Sequence, residues 1–245
     1  MMTIENTQIP DRWTGASDYP DHYQKEEQVR EILELLELAA AEALADVGCG
    51  NGAFAVAAAV QFPNCTVWAS DPLASAVEDC RTRAEAAGVE NLRVEIASAN
   101  ALPLECSSVD RVLMRNALHH VASANEAYAE IARVLRPGGL LLLEAPCNQG
   151  DAQFGRLISD IHMLMDDSHR RTYHHPEAVF SGLASYGIAA QTFSSWPYPF
   201  RVSDEQVRLI EARGARDLLS LRQKDASRWT IQLNMMRIVG RRKEP

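Results

Sequence analysis

Asp46-Val47-Gly48-Cys49-Gly50-Asn51-Gly52 decides the fold of this chain. It follows a short apolar run, Ala43–Val47, and precedes an alanine-rich stretch reaching about Phe62. A buried strand, a glycine loop and a helix are therefore predicted in that order. Glycines at such a junction permit a tight turn and let a ligand approach the backbone. The next helix would present free N–H groups and a positive dipole end, which suit a carboxylate or phosphate. About twenty residues past the loop, Asp71 closes the next apolar run, where an acid can accept hydrogen bonds from both ribose hydroxyls. An adenosine-containing ligand is implied. Its identity is not, because Gly48, Gly50 and Ala53 also fit the dinucleotide pattern GxGxxG/A. Glycines also close strand–helix turns where no ligand binds, and Asp71 also suits a cap on the helix after Pro72.

The same rhythm continues on both sides of the loop. Residues 1–22 read as an extended arm broken by Pro10, Gly15 and Pro20, and 23–43 as a helix with Val29, Ile32, Leu33 and Leu36 on one face. Strands are predicted at Thr66–Ser70, Leu92–Ile96, Val109–Met114 and Leu140–Glu144. Helices are predicted at 73–87, ended by Gly88, and at about 124–135, opened by Ser123 and Glu126 at capping-box spacing and stopped by Pro137-Gly138-Gly139. Five apolar strands alternating with helices argue for an α/β fold, a parallel sheet with helices on both faces. Past Pro146 a helical stripe (Phe154, Leu157, Ile158, Ile161, Leu164, Met165) precedes a polar stretch from Asp166 to His175, and Pro176 begins a further helix. Ile188–Ser195 and Trp229–Val239 read as closing strands, with a helix opened by Ser203 and Gln206 between them, its face formed by Val207, Ile210, Leu218 and Leu221. One domain over 1–245 is expected: arm and helix 1–43, ligand-binding core 44–147, and a helical cover with the last two strands over 148–245.

Bulk properties narrow the function. The chain has 245 residues, 47% apolar and 23% charged, an ordinary globular balance. Its net charge of −9 is opposite in sign to a general nucleic-acid binder's. Cysteines 49, 65, 80, 106 and 147 form no CxxC pair, so neither a disulfide framework nor a cysteine zinc site is suggested. The first dozen residues lack a signal peptide's apolar run, and the most apolar region, Leu38 to Val60, is interrupted by Glu42, Asp46 and glycines. The expectation is a cytoplasmic protein with no membrane span, no nucleic-acid partner and no metal. Oligomeric state is not legible.

Four segments in order give a family resemblance. ALADVGCGNGAF, VWASDPLASAV, ANALPLECSSVDRVLMRNALHHV and EIARVLRPGGLLLLEAP resemble the successive motifs of class I S-adenosylmethionine (SAM)-dependent methyltransferases, over about Leu44 to Pro146. The nearest flavour is the small-molecule branch typified by quinone biosynthesis. The resemblance implies a Rossmann-like, mostly parallel seven-stranded sheet ending in an antiparallel hairpin. It implies SAM as cofactor and S-adenosylhomocysteine as product. The backbone at Gly48, Cys49 and Gly50 would hold the methionine part, with Asp46 shaping the loop and orienting the amino group. Asp71 would hold the ribose, Pro72 and Leu73 would flank the adenine, Ser98, Ala99 and Asn100 would meet its edge, and Asn116 would sit near the methionine end. The family usually has an acid where this chain has Ser98, and a hydroxyl accepts a hydrogen bond without charge assistance. Weaker SAM binding is expected from that departure.

Methyl transfer from a sulfonium needs positioning more than acid–base help, and a base only if the acceptor must lose a proton. His119 and His120 follow the fourth strand, at the rim where ligands bind in open α/β sheets. They are candidates for base or acceptor clamp, though paired histidines are common here in the family. In the stretch Asp166–His175, His169 is a candidate catalytic residue and Arg170, Arg171 and Tyr173 candidate acceptor contacts, the arginines suiting an anionic acceptor. A solvated loop is the competing reading. Trp196, Tyr198 and Phe200 fit an apolar acceptor pocket or plain core, Cys147 fits small apolar packing, and Arg241-Arg242-Lys243 reads as a solvated tail. Rival functions are an NAD(P)-dependent oxidoreductase, a SAM-sensing module without turnover, and an RNA or protein methyltransferase. The first leaves 98–120 and the PGG turn unexplained.

Overall fold

The computed structural model describes residues 26–148, 173–202, 204–212, 224–225 and 228–244. The elements are α1 (Glu26–Leu35), β1 (Ala43–Val47), α2 (Ala53–Gln61), β2 (Thr66–Asp71), α3 (Ala74–Ala87), β3 (Leu92–Ile96), β4 (Val109–Arg115), α4 (Ala124–Val134), β5 (Leu135–Cys147), α5 (Pro176–Ser185), β6 (Ile188–Val202), α6 (Asp204–Ala212), β7 (Lys224–Asp225) and β8 (Arg228–Arg242). The sheet order is β3-β2-β1-β4-β5-β8-β6, with β7 paired to β8. β1 to β5 run parallel, while β8 is antiparallel to both β5 and β6. The mostly parallel sheet with an antiparallel close is the architecture that the sequence implied. Strand order reverses between β1 and β4, which opens a crevice beyond their carboxyl ends.

Alternation along the central strands explains why helices cover both faces. Leu44, Leu113, Leu140 and Leu142 point into one core with Ile32 and Leu33 of α1, Leu36 just beyond it, and Phe54, Ala55 and Ala58 of α2. Ala45, Val112, Met114, Leu141 and Leu143 point into the other, with Tyr128 and Ile131 of α4 and Val179 and Leu183 of α5. Strands buried on both faces read as continuous apolar runs, which is how these segments look in sequence.

Several boundaries differ from the sequence reading. The helix expected over 23–43 ends at Leu35: Glu37 takes a left-handed conformation (φ 52°) and a short 3-10 turn, Leu38–Ala40, leads into β1. The break leaves the carbonyls of Leu36 and Glu37 to accept from the Arg111 guanidinium at 2.6 and 3.4 Å. α4 stops at Val134, before Pro137-Gly138-Gly139, and β5 starts there, with a register irregularity opposite Val109 and Arg111. β6 continues past Ser195 to Val202, because β8 pairs with it along its length. Trp196 and Tyr198 thus stand on a strand, half-buried and buried, as does Phe200. Arg241 and Arg242 are no loose tail: they end β8 and donate to the carbonyls of Gly138 and Leu135. Ser203, Leu218, Leu221, the stripe from Phe154 to Met165 and the polar residues 166–172 lie outside the described residues. Among the described residues no helix is long and apolar enough to cross a membrane.

Candidate functional site

The loop after β1 lies over the sheet's crevice, held there by its own backbone. The Gly48 and Cys49 N–H groups both donate to the Ser70 carbonyl, at 2.8 and 2.9 Å. Gly50 N–H donates to Asp71 Oδ2 at 3.0 Å, and Gly52 N–H to the Cys49 carbonyl. Ala53 N–H, at the start of α2, donates to Asn51 Oδ1 at 3.3 Å. The N–H groups of Gly48, Cys49, Gly50, Gly52 and Ala53 are thus engaged within the protein. Gly48 has φ +75°, and a Cβ there would stand 2.4 Å from the Ala117 Cβ, so this glycine lets β1's loop meet β4's. Gly50, at φ +53°, has open space where a side chain would be.

Two buried carboxylates define the electrostatics. Asp71 ends β2; its Oδ1 accepts from Leu73 N–H and its Oδ2 from Gly50 N–H, each at 3.0 Å. Each oxygen keeps a lone pair for a further donor. Burial raises its pKa, opposed by those two hydrogen bonds. Asp46 is 3% exposed. Burial, then the neighbouring Asp71 charge, pushes its pKa up to about 7, against the Ala55 N–H and the Arg115 guanidinium. A pair of acids in this position disfavours a pyrophosphate and favours a cation.

Asn116 completes the edge. It follows β4 in a left-handed conformation (φ 52°), its N–H donating to the Glu144 carbonyl at 2.8 Å. Its Oδ1 is buried with no hydrogen-bond partner. A buried acceptor left unmatched is costly, so a ligand's donor is the natural complement. The loop after β3 is pinned to α4: Asn100 Nδ2 donates to the Ser123 carbonyl and to Glu126 Oε2, at 3.0 and 2.9 Å. The Ser98 hydroxyl turns back on Asn100, accepting its N–H at 3.3 Å. Ala99 is buried beneath.

The acceptor-side candidates separate. His119 and Tyr173 are buried, and the His119 ring lies 4.0 Å from that of His120 and 5.8 Å, edge to face, from Tyr173. His169, Arg170 and Arg171 lie outside the described residues. Cys147 is buried nearby, its thiol pushed up to about 11 by burial. Among the described residues no cluster of three or more His, Cys, Asp or Glu could hold a metal ion.

Sequence reading missed one feature. Glu144 of β5 is fully buried between Arg115 of β4 and Arg237 of β8: it accepts from Arg115 Nε and, at 2.5 Å, from Arg237 Nε. The signal was present, since a charged residue inside LLLLEAP must find a partner if that run is a buried strand.

The sheet, the loop and the acid after β2 define the architecture of a class I SAM-dependent methyltransferase. Residues 44–139 match the family described as a methyltransferase domain. The chain is similar to the uncharacterized methyltransferase YcgJ of Bacillus subtilis, 29% identical over 69% of this chain and 66% of that protein. The crystal structure of YcgJ superposes with a TM-score of 0.78 at 23% identity, covering 91% of this chain and all of that one. A 27-O-demethylrifamycin SV methyltransferase of Amycolatopsis mediterranei is 37% identical over 44% of this chain and 40% of its own length. A tRNA U34 carboxymethyltransferase of Desulfotalea psychrophila is 28% identical over 45% of this chain and 34% of its own. In sequence, the chain spans 66%, 40% and 34% of the length of these three relatives.

Proposed function

We propose that the protein transfers the methyl group of SAM to a small-molecule acceptor. One observation carries the cofactor: the buried Asp46 carboxyl, held at raised pKa, and the Asn116 Oδ1, buried with no hydrogen-bond partner, flank the open backbone at Gly50. They suit an α-ammonium, while Asp71 suits a ribose diol. The same edge suits NAD poorly, because its acids repel a pyrophosphate. The residues present therefore fit SAM.

When bound, SAM supplies an electrophilic methyl on a sulfonium whose leaving group departs neutral. Asp46 and Asn116 orient the amino-acid end; Asp71 fixes the ribose with Pro72 and Leu73 beside the adenine; Ala99 and Asn100 shape the adenine side. His119 and His120, with Tyr173 against His119, stand at the same carboxyl-end rim as acceptor clamp, and either imidazole serves as base if the acceptor must lose a proton. Excluding water and aligning the reactants supply most of the acceleration.

Two arguments favour a small acceptor: the net charge of −9 and the relative named for a rifamycin substrate. The tRNA-modifying relative keeps a nucleic-acid acceptor as the competing reading. Methyl-labelled SAM, incubated with a panel of phenols, enols, amines and carboxylic acids and separately with bulk tRNA, decides between them. Label in an organic extract supports the proposal; label only in tRNA, with salt-sensitive turnover, replaces it. SAM binding with label in neither favours a sensing module.

A further inference from the structure

We infer that Arg115, seated by Glu144, is a positioning residue for the cofactor: its guanidinium acts through Asp46 on the ammonium end of SAM. The inference rests on the SAM reading above and adds residues outside the loop to it.

The array is laid out by strand register. Arg115 stands opposite Glu144, and Glu144 opposite Arg237. Asp46 pairs with Leu113, two residues before Arg115 on the same face, so Asp46, Arg115, Glu144 and Arg237 form a row across the carboxyl end of the sheet. The Arg115 side chain also lies over the Phe54 ring of α2, 4.6 Å from its centroid. Arg237 lies over Trp196 of β6 at 5.3 Å and bonds Glu31 of α1 at 2.5 Å. Both guanidiniums are thus fixed by a carboxylate and an aromatic face, a geometry that lysine reproduces only in charge.

The charge count gives the row a purpose. Three buried carboxylates, Asp46, Asp71 and Glu144, face two guanidiniums, Arg115 and Arg237. Glu144 is already shared between them, so its charge does not bear on the cofactor directly. Asp46 is faced by Asp71 from β2, the Ala55 N–H from α2, the Cys49 thiol of its own loop and Arg115 from β4. Arg115 is the only cation in that set. It favours the ionised form of Asp46, the form that pairs with an ammonium, while the Glu144 bond keeps it from taking the ammonium's place.

The test is the pH dependence of SAM affinity, measured by calorimetry from pH 6 to 8 on the full chain. Arg115→Met raises the pH at which Asp46 ionises, because a cation that opposes burial is removed. SAM affinity then falls several-fold more at pH 6 than at pH 8. Arg115→Lys, which keeps the charge, restores most of the pH 6 affinity. Should Arg115→Met misfold because Glu144 loses a partner, the double variant Arg115→Met/Glu144→Gln removes the stranded charge and shows the same pH-dependent loss. A loss of equal size at every pH, or a lysine variant no better than methionine, assigns Arg115 a structural role and overturns the inference while the SAM reading stands. Wild-type protein that binds no SAM at any pH overturns both.

Discussion

The two edges of the sheet are built on opposite terms. At the edge where β1 and β4 begin, every described arginine is seated. Arg111 donates to the Leu36 carbonyl, Arg136 to Asp110 at 2.8 Å, Arg241 to the Gly138 carbonyl and Arg242 to the Leu135 carbonyl. Asp110 Oδ2 also accepts the Glu42 and Ala43 N–H groups, which ties the start of β1 to β4. At the opposite edge two carboxylates are held at raised pKa and Asn116 leaves an acceptor unmatched. One edge is satisfied within the protein; the other keeps the unmatched Asn116 oxygen and two acids held at raised pKa. Departures from internal consistency mark the place where a fold does its chemistry.

Exchanging acids between the two edges should break the contrast most sharply. Asp71→Ala is expected to weaken SAM binding roughly 100-fold, the loss of two charge-assisted hydrogen bonds to a ribose. Asp110→Ala should leave SAM affinity unchanged and cost about 1–2 kcal/mol of stability by denaturant unfolding, since it removes the acceptor of the Glu42 and Ala43 N–H groups and one partner of Arg136. Asp110 also has a pKa held below the usual carboxylate range by Arg136 and those N–H groups, which outweigh the opposing effect of burial. A carboxyl with a lowered folded pKa contributes stability above its unfolded value, near 3.8, and loses it as pH falls through the folded value.

Two neighbouring glycines refine the comparison. Gly48→Ala meets the Ala117 Cβ in a left-handed backbone and should cost about 1–3 kcal/mol of stability as well as cofactor affinity. Gly50→Ala meets no protein atom, so about 1 kcal/mol of backbone strain is expected, with the larger loss in SAM binding. Equal losses of stability would show that Gly50 serves packing, not a ligand.

Acidity separates the edges again. Asp46 ionises near pH 7 in the folded chain, against 3.8 for its ordinary value. The folded state therefore holds a proton that the unfolded state has lost, and stability falls as pH rises between those values. A bound ammonium reverses the preference, so SAM affinity should rise about tenfold per pH unit up to about pH 7 and then level off. The smallest effect expected is Ser98→Asp, which restores the family's acid and should tighten SAM binding a few-fold; unchanged or weaker binding would remove Ser98 from the adenine edge.

Much of this was legible because it is local. Alternating apolar runs gave the strands, and the glycine loop with Asp71 gave the cofactor edge, since those residues lie within one β–α–β unit. Gly88 and Ser123 mark helix ends through φ and a side-chain cap, and both do so in the structure. What escaped depends on residues far apart. The end of α1 depends on Arg111, which lies 75 positions from the carbonyl it binds. The length of β6 is set by β8, and the Arg115–Glu144–Arg237 array exists only once three strands are in register. The Asn100 side chain is tied to Ser123 and Glu126, an interaction across 23 and 26 positions that the local motif does not reveal.

Calorimetric titration with SAM and with NAD, on the wild-type chain and on Asp71→Ala, tests the central claim most directly. Micromolar binding of SAM alone, lost in the variant, is the predicted result. Binding of NAD in place of SAM, or SAM binding indifferent to Asp71, would contradict it.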